Sequence, residues 1–396
     1  MTASGARSML PALTAEEASH SAAVSGLIRE QIAAAGGWLS FEHFMELALY
    51  APGLGYYSAG SHKIGAGGDF VTAPEVSDLF SRCLARQCAA VLRGCGHGEI
   101  LELGAGTGRM AAALLAALAE SDALPERYAI LEVSADLAAR QRQRLGELPP
   151  ALRSRVVWLT RLPERPIEGV ILANEVADAL PCRRFLLSGG AVHELGVALT
   201  TAGDFREAQV AADAALTRMC TELTAQLPQP LPQPYISELC PRLEAWIAAL
   251  AMSLKRGALL VIDYGLPRAH YYHPERTHGT LRCHFRQRAH DNPYIHVGAQ
   301  DITAWVDFTR VAEAATAAEL SVAGFATQAA FLLATGIEEL VRREPAGSGS
   351  HVRLAGEARR LIMPGEMGEA FKVMALTRAW DAPLQGFTVQ DLRHSL

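Results

Sequence analysis

The feature that most constrains the fold is a regular alternation of short apolar segments and helical segments between residues 99 and 174. Four apolar segments are typical of strands: EILEL (99–103), YAILEV (128–133), RVVWL (155–159) and GVILAN (169–174). Segments with helical spacing lie between them, from Thr107 and over 135–146. Strands that alternate with helices in this way build a parallel sheet with crossover helices. The alternation therefore predicts an α/β fold with helices on both faces of a mostly parallel sheet.

A glycine-rich turn joins the first of these strands to the helix that follows it. In EILELGAGTGRM the strand runs into Gly104, Ala105, Gly106 and Gly108. Glycine leaves room for a ligand to approach the strand ends and the helix N-terminus. A dinucleotide fingerprint, G-x-G-x-x-G, would need its third glycine where Arg109 stands, so the spacing does not match that ligand.

The next strand ends in an acid, in the sequence Leu131-Glu132-Val133. A carboxylate at that edge of the sheet can bind both hydroxyls of a ribose. S-adenosylmethionine has such a ribose and no phosphate, and ELGxGxG followed by this acid is the pattern of class I S-adenosylmethionine-dependent methyltransferases. The alternative is an ordinary strand–helix turn with a solvated strand end at Glu132.

Three polar residues follow the last apolar segment of the alternation: Asn174, Glu175 and, three positions later, Asp178. If the methyl acceptor is arginine, carboxylates can orient its charged guanidinium group and accept the departing proton. We therefore predict Glu175 and Asp178 as catalytic residues. A polar strand end is the alternative for Glu175, and the N-cap of a short helix or turn over 179–181 is an equal alternative for Asp178. Asn174 is predicted to hold the cofactor or the strand end.

The rest of the chain divides into segments around this core. Gly189-Gly190 between two apolar runs predicts a hairpin over 183–198, and the tract QLPQPLPQP (226–234) predicts a stiff linker. Further helices are predicted over 38–50, from Pro74 to Ser81, near 241–254 and near 310–323. The predicted organisation is a helical N-terminal region (1–60), a first part of the core (61–182), an inserted hairpin and linker (183–235), a second part of the core (236–264), a covering loop (265–310) and a C-terminal part of the core (311–396).

Charge and composition argue against several classes of partner. The net charge of −6 does not favour binding to nucleic acid or to an anionic membrane. No apolar run approaches the roughly 20 residues of a membrane span.

The cysteines and the N-terminus bear on the cellular location. The sequence has seven cysteines without a CxxC pair and an N-terminus without a signal or transit pattern, and these features predict a reducing, cytoplasmic location. The histidines between residues 270 and 296 lack a ligand spacing and alternate with arginines, so no metal site is predicted.

Longer segments of the chain resemble the MidA-like methyltransferases, the family that contains the mitochondrial complex I assembly factor that methylates arginine. The resemblance extends from about residue 25 to 378 and rests on YAPGLGYY (50–57), GGDFVTAPEVS (67–77), LELGAGTG (101–108), ANEVADALP (173–181), VIDYG (261–265), HGTLRCHFRQRAHDNPY (278–294), DITAWVDFT (301–309) and MGEAFKVMAL (367–376). It implies a Rossmann-like class I methyltransferase fold with a seven-stranded sheet, inserted elements that cover the site, and S-adenosyl-L-methionine as the cofactor. This chain has Val176 and Ala177 where many relatives have aromatic residues.

The same resemblance implies a function and a set of site residues. It implies a bacterial protein arginine N-methyltransferase that acts on a protein substrate. A respiratory complex subunit is one candidate for that substrate. Glu75 joins Glu175 and Asp178 as a candidate catalytic acid. The cofactor-binding residues predicted from the motifs are Glu102, Gly104, Ala105, Gly106, Gly108, Glu132, Val133, Asn174, Thr72 and Pro74. An RNA or small-molecule methyltransferase and a non-catalytic assembly factor are the alternatives, and homodimer formation is left open.

Overall fold

A computed structural model describes residues 10–58, 69, 71–96 and 98–396 of the chain. Most of the predicted Gly-rich loop, including Gly67 and Gly68, therefore lies outside the described residues. The helices of the described part are α1 Ala15–Ala34, α2 Phe41–Tyr50, α3 Ala73–Val76, α4 Asp78–Gly94, α5 Arg109–Glu120, α6 Ala135–Gly146, α7 Pro150–Arg153, α8 Ala214–Gln226, α9 Arg242–Met252, α10 Arg268–Tyr271, α11 Phe308–Ala317, α12 Gln328–Ala334, α13 Ile337–Arg342, α14 Gly349–Ile362 and α15 Met367–Ala370.

The strands of the described part form three sheets. They are β1 Trp38–Ser40, β2 Glu99–Leu103, β3 Tyr128–Leu131, β4 Val156–Leu159, β5 Ile167–Asn174, β6 Arg183–Ser188, β7 Ala191–Leu199, β8 Phe205–Ala211, β9 Tyr235–Leu239, β10 Leu254–Leu266, β11 Arg282–Phe285, β12 Arg288–His290, β13 Asp301–Thr303, β14 Val306–Asp307, β15 Ser321–Thr327 and β16 Phe371–Arg378.

The largest sheet confirms the predicted fold class. Its order is β15-β16-β10-β5-β2-β3-β4, with the short β14 added beside the end of β10. The strands from β10 to β4 are parallel, and β16 is antiparallel to both of its neighbours. Because the chain leaves β2 toward β3 and later returns on its other side as β5, a crevice opens where the carboxyl ends of β2 and β5 meet.

Two apolar cores cover the two faces of this sheet. One is built with side chains of α4, α5 and α12, and the other with side chains of α9 and α11. The central strand β5 is buried on both faces, which explains why GVILAN reads as a continuous apolar run without alternation. Burial of both faces fixes the strand ends, and therefore the polar residues that follow them, in one rigid frame.

The inserted region is larger than the hairpin that the sequence predicts. The strands β6 and β7 do form an antiparallel hairpin, and Gly189 and Gly190 adopt positive φ angles of 59° and 78° in its turn. The strands β8, β9 and β1 complete a five-stranded sheet, in which β1 comes from the N-terminal region. A third sheet, β12-β11-β13, occupies the predicted covering loop. The sequence predicted neither the extra partners nor the third sheet, because such pairings join residues far apart in the chain.

Three predicted helices have different bounds in the structure. In the segment 38–50, Trp38–Ser40 pairs with β7, and the Ser40 hydroxyl accepts a hydrogen bond from the amide of His43, so the helix begins only at Phe41. The helix predicted from Pro74 to Ser81 is interrupted at Ser77. That residue is extended, and its hydroxyl caps α4 by accepting a hydrogen bond from Leu79 N at 3.2 Å.

The third difference concerns the helix predicted near 310–323. The helix α11 ends at Ala317 because the chain reverses there, with Glu319 at a φ of 60° and Leu320 N donating back to Ala315 O. The following residues join the main sheet as β15, an edge strand. Of the helices in the described part of the chain, none is long and apolar enough to cross a membrane.

Candidate active site

A cleft opens at the carboxyl ends of β2, β3 and β5, at the crevice of the main sheet. We call it the strand-end cleft. It is lined by Tyr50, Tyr57, Thr72, Pro74, Glu75, Glu102, Leu103, Gly104, Ala105, Gly106, Thr107, Arg109, Met110, Leu131, Glu132, Val133, Leu137, Asn174, Glu175, Val176 and Ala179. Nine of the ten residues predicted to bind the cofactor are in this lining. The tenth, Gly108, packs against α6, where an added Cβ would lie 3.4 Å from Gln141 Cα.

The glycine turn after β2 has a backbone that only glycine adopts easily. The φ angles of Gly104, Gly106 and Gly108 are 58°, 52° and 77°. L-residues with a Cβ atom rarely occupy this left-handed region. A side chain on Gly104 would also point toward Val176, whose Cγ2 lies 3.5 Å from the position of the added Cβ. The turn therefore presents bare backbone to the cleft.

Glu132 is held rigidly at the end of β3. Its two carboxylate oxygens accept hydrogen bonds from Ser134 N at 2.9 Å and from Gln141 Nε2 at 2.8 Å. The same Gln141 amide donates to Gly106 O at 3.0 Å, and Trp158 Nε1 donates to the Gln141 oxygen at 3.1 Å. Gln141 thus ties the acid to the glycine turn. No pattern in the sequence indicated Gln141 or Trp158, because their role depends on how α6 packs beside β3.

Glu75 lies on the opposite side of the glycine turn, in α3. One carboxylate oxygen accepts a hydrogen bond from the Thr107 hydroxyl, and the other lies 3.6 Å from the Arg109 guanidinium. Arg109 also donates to the backbone carbonyl of Glu75 at 2.9 Å. These contacts connect Glu75 to the residues around Gly106 and Gly108. Glu75 lines the strand-end cleft, and both of its carboxylate oxygens already contact neighbouring side chains there.

A second space, which we call the acid cavity, adjoins the strand-end cleft. It is lined by Tyr57, Val71, Glu175, Asp178, Tyr264, Arg282, His284, Ala289, Asp301, Trp305, Met367, Ala370 and Phe371. Glu175 and Tyr57 line both spaces, so these two residues stand at the junction. A group held in the acid cavity can therefore meet a ligand held in the strand-end cleft.

Three carboxyl groups line the acid cavity. Asp178 and Asp301 are 5% and 2% exposed, and Glu175 is half-buried with a positive φ of 54° that few non-glycine residues adopt. The pKa of Glu175 and the pKa of Asp301 are each raised to about 8. Burial is the largest cause for both groups, and the negative charge of Asp178 is the second. One oxygen of Asp178, Oδ1, has no hydrogen-bond partner in the described structure. None of these three acids has an ion-pair partner among the described residues, although Arg282 and His284 also line the cavity.

Asp178 lies in a turn, as one of the alternatives for this residue predicts, and it does not begin a helix. Residues 177–180 form a turn, and no helix follows Asp178 before β6. The turn is fastened by Asp263, whose carboxylate accepts hydrogen bonds from the amides of Ala177 and Asp178 at 3.0 and 3.2 Å. Tyr264 contacts the Asp178 side chain through its hydroxyl. Asp178 is therefore aimed into the acid cavity by its neighbours on β10.

Several residues of the acid cavity were not predicted individually. Asp301 accepts a hydrogen bond from the Tyr57 hydroxyl at 2.9 Å, and the Tyr57 ring stacks on Tyr50 with centroids 5.5 Å apart. Asp301 and Trp305 come from the segment DITAWVDFT, Tyr264 from VIDYG, and Tyr57 from YAPGLGYY. These segments carried the family resemblance, and that was the available signal, but no local pattern showed that they converge on one cavity.

The chain is similar to known methyltransferases in sequence and in structure. A protein-family model described as "Putative S-adenosyl-L-methionine-dependent methyltransferase" matches residues 83–326, more than half of the chain. The chain belongs to this family. A crystal structure of a "likely methyl transferase" from Burkholderia thailandensis, bound to S-adenosyl-homocysteine, superposes on this methyltransferase with a TM-score of 0.93 and 41% identity, covering 98% of this chain and 100% of that one.

Two relatives of the methyltransferase from animals are named as protein arginine methyltransferases. The protein arginine methyltransferase NDUFAF7 homolog of Drosophila melanogaster, described as mitochondrial, is 28% identical over 86% of this chain and 82% of its own length. The mitochondrial protein arginine methyltransferase NDUFAF7 of Homo sapiens is 26% identical over 86% of this chain and 80% of its own length. The similarity therefore spans the core and the inserted elements together.

The methyltransferase uses S-adenosyl-L-methionine as its cofactor. The strand-end cleft fits that molecule, because it combines a bare glycine turn with a fixed carboxylate at the end of β3. Val133 is 75% exposed at the same strand end, so an apolar side chain is available beside the cleft.

Proposed function

We propose that this methyltransferase is a protein arginine N-methyltransferase. The observation that supports it best is the position of Glu175 and Tyr57 on the lining of both the strand-end cleft and the acid cavity. An arginine side chain in the acid cavity would satisfy the unpartnered Oδ1 of Asp178 and meet the cofactor at this junction. Relatives that are named protein arginine methyltransferases over most of the chain add independent support.

We propose that the strand-end cleft binds the cofactor through the residues predicted from the sequence. Glu132 would bind the ribose hydroxyls, and Val133 would pack against the adenine ring. Gly104 and Gly106 would let the backbone approach the ligand closely. Asn174, whose Oδ1 has no hydrogen-bond partner in the described structure, would accept a hydrogen bond from the amino-acid part of the cofactor. Glu75 would act as a positioning residue that fixes the glycine turn through Thr107.

The acids suit the chemistry of an arginine acceptor. The guanidinium group is positively charged, with a pKa above about 12, and its delocalised nitrogens are poor nucleophiles. S-adenosylmethionine supplies an electrophilic methyl group when bound. Glu175 orients one guanidinium nitrogen toward the junction and accepts the proton that this nitrogen loses when the N–C bond forms. Asp178 and Asp301 hold the remaining positive charge.

The charge of Asp301 can be tested separately from the hydrogen bond that Asp301 accepts from Tyr57. Asp301→Asn keeps an oxygen that can accept from Tyr57 but removes the charge, and we expect it to lower the methylation rate by about 10-fold or more. Tyr57→Phe removes the hydrogen bond at Asp301 and keeps the charge, so its loss should be smaller. Initial rates at saturating cofactor measure both. Equal rates for Asp301→Asn and the parent would show that Asp301 does not bind the acceptor.

The raised pKa values predict a pH dependence. Because burial raises the pKa of Glu175 and of Asp301 to about 8, both groups are largely protonated near pH 6 and cannot hold a cation there. We therefore expect kcat/KM for the protein substrate to rise from pH 6 through about pH 8 and then level off. The measurement is a pH–rate profile at saturating cofactor. A profile that is flat or falls over this range would contradict the claim that the ionised forms of Glu175 and Asp301 bind the acceptor.

The proposed substrate is a protein in a reducing compartment. All seven cysteines are free in the structure, which supports the bacterial cytoplasm as the location. A respiratory complex subunit is one substrate that the family resemblance makes worth testing. The experiment is quantitative mass spectrometry of methylarginine in a host strain with and without the gene. A methylarginine peptide should disappear on deletion and return with the parent enzyme but not with Glu175→Gln. An unchanged set of methylarginine peptides would contradict the proposal.

A further inference from the structure

A second groove continues from the acid cavity over the covering region. We call it the basic groove, and its ionisable lining residues are His270, His273, Glu275, Arg276, His278 and Arg282. Arg282 lines both the basic groove and the acid cavity, so the two spaces meet at that residue. Five of the lining side chains are basic types and one is acidic. The groove therefore has the opposite charge character to the cavity beside it.

Two guanidinium groups of the groove are not neutralised by the protein. Neither Arg276 nor Arg282 has a carboxylate within 4.0 Å among the described residues. Among the described residues, the Arg282 side chain donates only to the carbonyl of Leu281, at 3.0 Å. Arg276 Nε is buried and has no hydrogen-bond partner among these same residues. By contrast, the nearby Arg268 pairs with Asp307 at 3.3 Å and with Glu313.

Trp305 lines the acid cavity and contacts Arg276, which lines the basic groove. The Arg276 guanidinium lies over the Trp305 ring, 5.1 Å from its centroid, and the same ring lines the acid cavity. The backbone amide of Trp305 donates to the Thr280 hydroxyl at 3.1 Å, and this bond holds the backbone of Trp305 in place. The stacked Arg276 is thereby held in place at the edge of the groove, which lowers the entropic cost of binding an anion there.

We propose that the basic groove binds an acidic segment of the protein substrate that flanks the methylated arginine. The inference rests on the proposed function, because the acid cavity must take the arginine. Arg282 would bind the first carboxylate next to that arginine, and Arg276 would bind a second one farther along the groove. Since each extended residue spans about 3.3–3.6 Å, the acids should lie within about four residues of the arginine.

The test uses charge reversal in the full-length enzyme. Arg276→Glu and Arg282→Glu are compared with Arg144→Glu, a matched control at an exposed position of α6. Each enzyme transfers a radioactive methyl group to proteins in a lysate of a strain that lacks the gene. We expect both reversals to lower arginine labelling by about 10-fold or more at low lysate concentration, because they weaken substrate binding. For the same reason, labelling should recover in part when the lysate is about tenfold more concentrated. Affinity for S-adenosylhomocysteine should be unchanged.

The outcomes separate this inference from the proposed function. The labelled peptide should contain Asp or Glu within about four residues of the methylarginine. Labelling by both reversals at the level of Arg144→Glu, or a labelled arginine without such an acid, would overturn the inference while leaving arginine methylation intact. Label in RNA instead of protein, or no methylarginine with any enzyme, would overturn the proposed function and this inference with it.

Discussion

Glu175→Gln is expected to lower the methylation rate by about 100-fold or more while S-adenosylhomocysteine binds as before. Gln keeps the size of the side chain and can still accept the hydrogen bond from the Asn174 amide, which donates to Glu175 Oε1 at 3.2 Å. It removes the charge that orients the guanidinium group and the base that accepts its proton. The measurement combines single-turnover methylation with calorimetric binding of S-adenosylhomocysteine. A rate within a few-fold of the parent would remove Glu175 from the chemistry.

The same variant should separate function from stability. Because burial raises the pKa of Glu175 above its ordinary value, the folded protein holds that proton more tightly than the unfolded chain does. The free energy of unfolding contributed by this group therefore falls as pH rises from about 4.5 through about 8. Glu175→Gln cannot ionise, so its Tm should match the parent near pH 5 and exceed it near pH 8.5. A lower Tm at both pH values would show that the loss of activity comes from damage to the fold.

Gly106→Val should abolish cofactor binding. Gly106 has a φ of 52°, which a β-branched residue adopts only with strain, and it faces the cleft beside Glu132. The Val side chain would occupy space that the cofactor needs, and a shift of the turn would break the hydrogen bond from Gln141 to Gly106 O. We expect the dissociation constant for S-adenosylhomocysteine to rise by about 100-fold or more, measured by calorimetry.

A matched control exists on a surface helix. Gly356 lies exposed in α14, where an added Cβ would meet nothing within 4 Å, so Gly356→Val should bind S-adenosylhomocysteine like the parent. Far-UV circular dichroism establishes that both variants are folded. Unchanged affinity in a folded Gly106→Val protein would mean that the cofactor does not lie against the glycine turn.

The core of the fold could be predicted because its signals are local. The run GVILAN is apolar throughout because β5 is buried on both faces, and the glycine turn follows directly from the backbone that Gly104 and Gly106 must adopt. The predicted helix over 38–50 begins only at Phe41, and the helix predicted from Pro74 to Ser81 divides at Ser77, because Ser40 and Ser77 act as caps in their tertiary setting. The second of these helices, α4, also continues to Gly94, well beyond the predicted end.

The composition of the acid cavity could be predicted only in part. Glu175 and Asp178 stand together in the sequence after one strand, so their proximity was expected. Asp301 comes from a strand more than a hundred residues later, and its contact with Tyr57 depends on the small sheet β12-β11-β13 packing against the N-terminal helices. Such long-range convergence leaves no periodic pattern in the sequence, and so neither Asp301 nor the basic groove was predicted.

The most direct test of the account is the chemical identity of the methylated residue. The parent enzyme is incubated with S-adenosylmethionine labelled in its methyl group and with lysate from a strain that lacks the gene, and the labelled protein is hydrolysed to amino acids. We expect the label to elute as methylarginine and Glu175→Gln to produce little of it. Label that elutes as methyl-lysine or methyl-glutamine, that resides in RNA or in a small molecule, or that is as abundant with Glu175→Gln as with the parent, would contradict the account.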